Sequence, residues 1–505
     1  MPEPITEAND SPTSWPRRLG LVAGPVFAVL LIFGPQFGWS LDAERPQLNA
    51  MAAILVWMAL WWITEAIPIA ATALLPLVLF PLLRIPPGGQ IALNYANPLI
   101  FLFFGGFLLA LAVEDSGLHR RIALMIIVAV GDNPRRVVLG FMIATATLSM
   151  WISNTATTML LLPIAMSVLA QAEREATDAR RVRRFGVCLM LGLAYGASIG
   201  GVATLIGTPP NIAFQGMFEK LYPEATPISF FAWMKMALPF SICFLFVAWA
   251  LLTYVVQRLG GESFLGGRDL IAGQLRALGP MSAAEWRMLV IFGTTALLWI
   301  TREPVAGWGW SPALRLDQTA DGTKLANDGT VAMAMALLCF LVPAQGAGGK
   351  KLLDWEATSR LPWGILFLFG GGLALAAGMT STGLSEYLGR ALAARMASMS
   401  MVGMMLATTF GMTFLTEVTS NLASVNMLLP ILAGSADALG VAPQTLMIPA
   451  TLAASSAFML PVATPPNAIV YGSGKLRMAD MIQAGLWLNL IGALLVVAFV
   501  FLLAP

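Results

Sequence analysis

The chain of 505 residues is 58% hydrophobic and 11% charged, with a mean hydropathy of +0.77. Soluble domains carry about 25% charged residues, so this composition describes an all-α polytopic membrane protein and excludes a soluble enzyme or nucleic-acid binder. A formal charge of +2 names no acidic partner, and one histidine (His119) with three scattered cysteines (Cys188, Cys243, Cys339) excludes a His/Cys metal site or a disulfide framework.

Residues 1–16 are polar, with Pro and Ser, the composition of a disordered tail. The apolar run 19–39 follows Arg17-Arg18, is long enough to span, and has no small-x-small cleavage site before the next run, so it reads as a retained first span. Spans are predicted near 50–67, 68–83 and 98–117, the last carrying Gly105-Gly106 for close helix contact. Residues 119–136, with Arg120, Arg121, Arg135 and Arg136, read as an interfacial stretch. The apolar stretch 137–170 holds Trp151-Ile152-Ser153-Asn154-Thr155 at its centre. One straight crossing would leave those polar groups at mid-membrane, whereas two half-length helices meeting at the motif form a re-entrant hairpin, tolerated where it borders protein or a water-filled cavity. The Arg-rich segment 171–184 is a surface connection. A span at 186–216, broken at Gly200-Gly201 and at Gly207-Thr208-Pro209-Pro210-Asn211, and a span at 234–257 complete the first half.

A linker at 259–286 is predicted to lie in the cytoplasm. Spans near 287–305, 329–344 and 361–383 follow, then a second hairpin at 401–435 around Glu417-Val418-Thr419-Ser420-Asn421-Leu422. A broken span at 445–472, carrying Ala463-Thr464-Pro465-Pro466-Asn467, and a last span at 480–503 end the chain. The halves repeat: Phe101-Leu102-Phe103-Phe104-Gly105-Gly106 matches Phe367-Leu368-Phe369-Gly370-Gly371-Gly372, and the Ser-Asn pairs and Pro-Pro-Asn clusters recur in the same order. The division is therefore residues 1–48 for the tail and first span, 49–258 and 287–505 for the two repeats.

Eleven spans and two hairpins place 20 of the 29 Lys and Arg on the side of the N-terminus and leave 9 on the other. The positive-inside rule then sets the N-terminus in the cytoplasm and the C-terminus outside. Five spans per repeat is odd, so the copies run antiparallel, and a site is expected where inverted repeats meet.

Ser and Asn favour helix starts, where free backbone N–H groups and the positive dipole end attract anions. Unwound carbonyls at Gly207 and Ala463, with nearby Ser, Thr and Asn oxygens, suit a small hard cation such as Na⁺. No Lys, Arg or His lies within 140–170 or 401–435, and Glu417 is the one ionisable group near either motif. A divalent anion held there is balanced by helix ends and co-bound cations. Moving one charge through the membrane potential is worth about 2.3 kcal/mol per 100 mV, a term that cation coupling reduces or reverses for inward anion movement.

At these paired motifs the sequence resembles the divalent anion/sodium symporter family, the INDY-type di- and tricarboxylate and sulfate carriers, over nearly the whole chain from about residue 50. The resemblance implies one Na⁺ site of Ser149, Ser153, Asn154 and Gly207, and a second of Thr416, Thr419, Asn421 and Ala463. It places Asn154, Thr155, Thr208, Pro209, Asn421, Leu422, Thr464 and Pro465 around the substrate. It further implies two or more Na⁺ per cycle, a homodimer in the inner membrane and elevator-type alternating access. Where the family pattern has Thr, the second motif has Leu422, a departure that bears on substrate identity or, if the side chain points away, on nothing. The expectation is Na⁺-coupled symport of a C4-dicarboxylate such as succinate. The rivals are a Na⁺-independent exchanger, a sulfate or tricarboxylate carrier, and an anion channel; with no nucleophile, acidic pair or metal ligands in its spans, the chain is not expected to be an enzyme.

Overall fold

A computed structural model describes residues 15–42, 44–86, 88–131, 133–175, 178–260, 267–304, 308–316, 325–345 and 349–503. The polar tail through residue 14 and linker residues 261–266 lie outside them. In the first half the helices are α1 (Trp15–Phe33), α2 (Pro46–Thr64), α3 (Ile69–Thr72), α4 (Leu75–Leu82), α5 (Pro98–Ser116), α6 (Leu118–Val130), α7 (Pro134–Ser149), α8 (Asn154–Glu175), α9 (Ala179–Gly201), α10 (Pro209–Leu221) and α11 (Phe230–Ala250). After α12 (Gly267–Ala277) come α13 (Ala283–Ile300), α14 (Trp310–Ala313), α15 (Asp328–Leu341), α16 (Trp363–Thr382), α17 (Leu384–Met396), α18 (Met401–Thr416), α19 (Asn421–Leu439), α20 (Gln444–Ala454), α21 (Pro465–Gly472) and α22 (Met478–Leu503). Ten helices among the described residues are long and apolar enough to cross a membrane, or eleven if the bent pair α17–α18 counts as one span. The protein is a multi-pass membrane protein.

The series α5 to α11 and α16 to α22 correspond element by element, and the local chemistry that sets their ends is repeated too. Gly117 ends α5 at φ 80° and Gly383 ends α16 at φ 78°, left-handed positions that disfavour any side chain with a Cβ. Asn133 caps α7 through the amide of Arg135, and Ser400 caps α18 through that of Gly403.

The two halves are interlocked. A Cβ on Gly105 of α5 would lie 2.7 Å from the carbonyl carbon of Ala332 in α15, and one on Gly371 of α16 would lie 2.4 Å from the oxygen of Ala73 beside α3. Each half thus uses a glycine at the matching position to bring its backbone against the other half, as small residues do between membrane helices.

Three expectations change. Residues 68–83 and 329–344 hold the short helical stretches Ile69–Leu82 and Asp328–Leu341; 14 residues at about 1.5 Å each fall short of a roughly 30 Å hydrocarbon core. The second arms of the predicted hairpins are longer than half-length: α8 has 22 residues and α19 has 19. The linker 259–286 contains α12, whose Ile271 is buried and whose helix packs on α6 and α8; its apolar Leu270, Ile271 and Leu275 fall on one helical face. Just beyond, Arg121 of α6 pairs with Glu285 at 2.7 Å and donates to the carbonyls of Leu278, Gly279 and Pro280, fixing the entry to α13.

Candidate functional site

Both Ser-Asn motifs are breaks. The helix ending at Ser149 resumes at Asn154, and the helix ending at Thr416 resumes at Asn421. Both Pro-Pro-Asn clusters are breaks as well: α9 unwinds after Gly201 until Pro209, and α20 unwinds after Ala454 until Pro465, with one 3₁₀ turn at Pro461–Ala463. Pro at the first two positions of α10 and α21 removes amides that a helix start would otherwise present. Those segments therefore offer carbonyls, while the starts of α8 and α19 retain their N–H groups.

At the first tip, Ser153 accepts the amide of Ala156 and caps α8 as expected. Asn154 does not cap: its Oδ1 accepts the Ser149 hydroxyl at 2.5 Å. A Cβ built on Gly201 would lie 2.5 Å from Asn154 Oδ1 and 3.1 Å from the Gly207 carbonyl oxygen; one on Gly207 would lie 2.4 Å from the Gly201 oxygen and 2.9 Å from the Ser149 oxygen. Four oxygens, from Ser149, Asn154, Gly201 and Gly207, thus converge where only glycine fits. This donor set suits a hard monovalent cation.

The second tip repeats the pairing with different hydroxyls. Thr416 Oγ1 lies 2.6 Å from Asn421 Oδ1 and 3.0 Å from the Ala454 oxygen. One hydroxyl proton serves one acceptor at a time, so a cation there would satisfy the other. Ser420 starts α19 without a side-chain cap, contrary to expectation. Thr419 instead bonds Ser424 Oγ and the Leu415 oxygen, so the hydroxyls are turned toward the helix. Ala463 is buried at the end of the 3₁₀ turn, and Thr464 accepts the amide of Asn467 at 3.4 Å. Leu422 is 4% exposed and packs in the apolar core, whereas Thr155, its counterpart, is half-buried at its tip. Pro209 is half-buried and Pro465 exposed at the starts of α10 and α21.

The two breaks meet. Thr208 Oγ1 lies 3.5 Å from Ser455 Oγ, and the buried Tyr195 hydroxyl of α9 donates to the Phe458 oxygen at 2.8 Å. Packing is crosswise: α10 lies against α19 and α20, and α21 lies against α8 and α9. Each half therefore delivers the helix after its own break to the tip of the other. The first tip is also seated on aromatic residues, with Trp151 stacked near Trp299 and Phe230 and edge-on to Phe292.

Sequence reasoning gave no role to the asparagines that close the Pro-Pro-Asn clusters. Asn211 Nδ2 donates to the oxygens of Val202 and Thr204, and Asn467 Nδ2 donates to those of Ala457 and Leu460. Each amide ties its unwound segment shut, and each leaves a buried Oδ1 without a donor among the described residues. Their recurrence in both halves was the available signal. Thr204, Gly201 and Ala454, which also build the site, have no repeated signature of their own. Glu417, the one ionisable group near either motif, is 3% exposed and accepts the amides of Phe458, Met459 and Leu460 and the side chain of Asn489 at 2.7–3.0 Å. It holds the second unwound segment in place.

Comparison with known proteins agrees with this architecture. The profile of the family described as the sodium:sulfate symporter transmembrane region matches residues 26–503. The sodium-dependent dicarboxylate transporter SdcS of Staphylococcus saprophyticus is 42% identical over 496 residues, covering 97% of this chain and 92% of that protein. SdcS of Staphylococcus aureus strain MRSA252 is 42% identical over 501 residues, covering 98% and 92%. These relatives are named as transporters, not enzymes. Among solved structures, the YdaH transporter of Alcanivorax borkumensis aligns with a TM-score of 0.57 at 14% identity, over 82% of this chain and 89% of that one. MtrF of Neisseria gonorrhoeae, described among antimetabolite efflux pumps, aligns at 0.55 and 12% identity, over 81% and 82%. At such identity the likeness is one of fold alone.

Proposed function

The chain belongs to the sodium:sulfate symporter family, and from that premise we propose that it couples inward movement of a C4-dicarboxylate such as succinate to two or more Na⁺. The observation that carries the reading is the pair of oxygen clusters, Ser149–Asn154–Gly201–Gly207 and Thr416–Asn421–Ala454, set at breaks that pack crosswise. The dicarboxylate sits between the starts of α8 and α19, met by Asn154, Thr155, Thr208, Pro209, Asn421, Leu422, Thr464 and Pro465. Na⁺ sites form from Ser149, Ser153, Asn154 and Gly207, and from Thr416, Thr419, Asn421 and Ala463. The names of the SdcS relatives support both the substrate class and the coupling ion.

The wider arrangement follows the same reading. Counting the short apolar stretches Ile69–Leu82 and Asp328–Leu341 as crossings completed by their flanking residues keeps five per half, so the halves are inverted repeats with the N-terminus in the cytoplasm and the C-terminus outside the inner membrane, and 137–170 and 401–435 are re-entrant from opposite faces. The protein works as a homodimer whose site moves past a fixed frame. Matched helix ends and reciprocal glycine contacts support the duplication. A Na⁺-independent exchanger would need a basic side chain in place of the cation, and neither motif stretch contains Lys, Arg or His. Radiolabelled succinate uptake into proteoliposomes with an imposed Na⁺ gradient tests the proposal. Symport predicts uptake that follows the gradient, while uptake indifferent to Na⁺ and dependent on internal dicarboxylate would replace it with exchange.

A further inference from the structure

Glu417 is a buried carboxylate in a part of the chain that has no basic side chain. Phe458 and Met459 donate their amides to Oε1 at 2.8 and 2.9 Å, Asn489 Nδ2 donates to the same oxygen at 2.7 Å, and Leu460 donates to Oε2 at 3.0 Å. All four are neutral N–H donors, and an ionised carboxylate accepts without offering a proton of its own. Among the described residues Glu417 has no ion-pair partner, so its negative charge is solvated by dipoles and not cancelled.

The first half does the same mechanical task without a charge. At the repeat offset of the Asn154 and Asn421 pair, Glu417 corresponds to Met150. There the Thr204 hydroxyl donates to the Met150 oxygen at 2.5 Å and accepts the Gly207 amide at 3.0 Å, tying tip to unwound segment. A neutral hydroxyl therefore suffices to hold a break closed. A buried ionisable group in a membrane protein carries a cost that a merely structural part need not incur. Glu417 is also the residue next to Thr416, which with Asn421 and the Ala454 oxygen builds the second oxygen cluster.

From this asymmetry we infer that Glu417 is a positioning residue whose fixed charge makes the second break the stronger of two unequal cation sites. It aligns the 458–460 segment and supplies the negative potential that the first break lacks. A cation binds first where that potential is present, and its arrival compensates the charge before the anion enters. The inference rests on the reading of the breaks as Na⁺ sites.

Glu417→Gln separates charge from scaffolding. The amide oxygen keeps the three donors at the Oε1 position, and only the Leu460 amide meets another donor. Glu417→Asp keeps the charge and shortens the reach. In purified full-length protein, Na⁺ titration of thermal unfolding without substrate, and Na⁺ titration of succinate uptake, read the site directly. The expected result for E417Q is a Na⁺ half-saturation raised about tenfold, equivalent to about 1.4 kcal/mol, with succinate half-saturation at saturating Na⁺ unchanged. E417D keeps the Na⁺ dependence of the parent at lower thermal stability. Parent-like Na⁺ titration of E417Q, or E417D shifted as far as E417Q, overturns the inference and leaves Glu417 as scaffolding. If E417Q does not fold, E417D decides alone: a parent-like Na⁺ half-saturation supports the inference, and one raised about tenfold overturns it. A parent protein that ignores Na⁺ removes the symport reading itself, an outcome distinct from either variant's behaviour.

Discussion

Gly207→Ala is the sharpest small perturbation of the first oxygen cluster. The added methyl would lie 2.4 Å from the Gly201 oxygen, 2.9 Å from the Ser149 oxygen and 3.0 Å from the Gly201 Cα, all backbone atoms. No side chain can rotate away, so the unwound segment after α9 or the end of α7 must shift. Overpacking of this kind costs about 1–3 kcal/mol. Gly207 is placed by the oxygens that would coordinate the cation, so the shift falls on cation binding, where 1–3 kcal/mol corresponds to about a 5- to 150-fold loss of affinity. Gly106→Ala is the control: its methyl would meet Ile206 at 3.6 Å, an ordinary contact, and alanine favours a helix interior over glycine. Na⁺ titrations of thermal unfolding and of succinate uptake, run on both variants, are the assay. Gly207→Ala is expected to need far more Na⁺, with Gly106→Ala matching the parent. Equal Na⁺ dependence in all three would refute the assignment of the Gly201–Gly207 loop to a cation site.

Asn154→Ala and Asn421→Ala each remove the acceptor of a tip hydroxyl and are expected to abolish uptake in monodisperse protein; full uptake by either variant would take that residue out of the site. Asn467→Asp replaces a donor to two carbonyls with a buried, unpaired acceptor, at a cost of about 1–3 kcal/mol or more; a fall in the unfolding temperature measured in detergent is expected, and no change would show that the amide does not hold the loop. Leu422→Thr is expected to alter the pattern of dicarboxylate and tricarboxylate competition for succinate uptake, and an unchanged pattern would mean that the side chain does not reach the substrate.

Much of this molecule could be read from its sequence because duplicated polar clusters in an apolar chain have few structural outlets. The two Ser-Asn motifs and two Pro-Pro-Asn clusters marked all four breaks, since adjacent prolines remove two successive amides and clustered polar groups disfavour a buried helix, whereas the lone Pro163 and Pro430 stay inside α8 and α19. The roles within each break were less legible. Ser153 caps its helix and Ser420 does not, because Thr419 and Ser424 pair in the second copy, a contact set by tertiary geometry rather than by the motif. Likewise, Asn211 and Asn467 carry no hint of which carbonyls they tie, because their partners lie on segments with no regular backbone period. The lengths of α8 and α19 exceeded expectation because apolar composition continues past the depth at which a half-length arm would end. Helix α12 was hidden by its polar surroundings, although its few apolar residues fall at helical spacing.

The central claim is that the two breaks form one charge-balanced site for an anion and its cations. An electron cryomicroscopy map of the full-length protein in Na⁺ and succinate measures it most directly. The account predicts density for the dicarboxylate between the starts of α8 and α19, with separate ion density at Ser149–Asn154–Gly207 and at Thr416–Asn421. Succinate bound elsewhere, or held there by a lysine or arginine with no ion density at either tip, would contradict it.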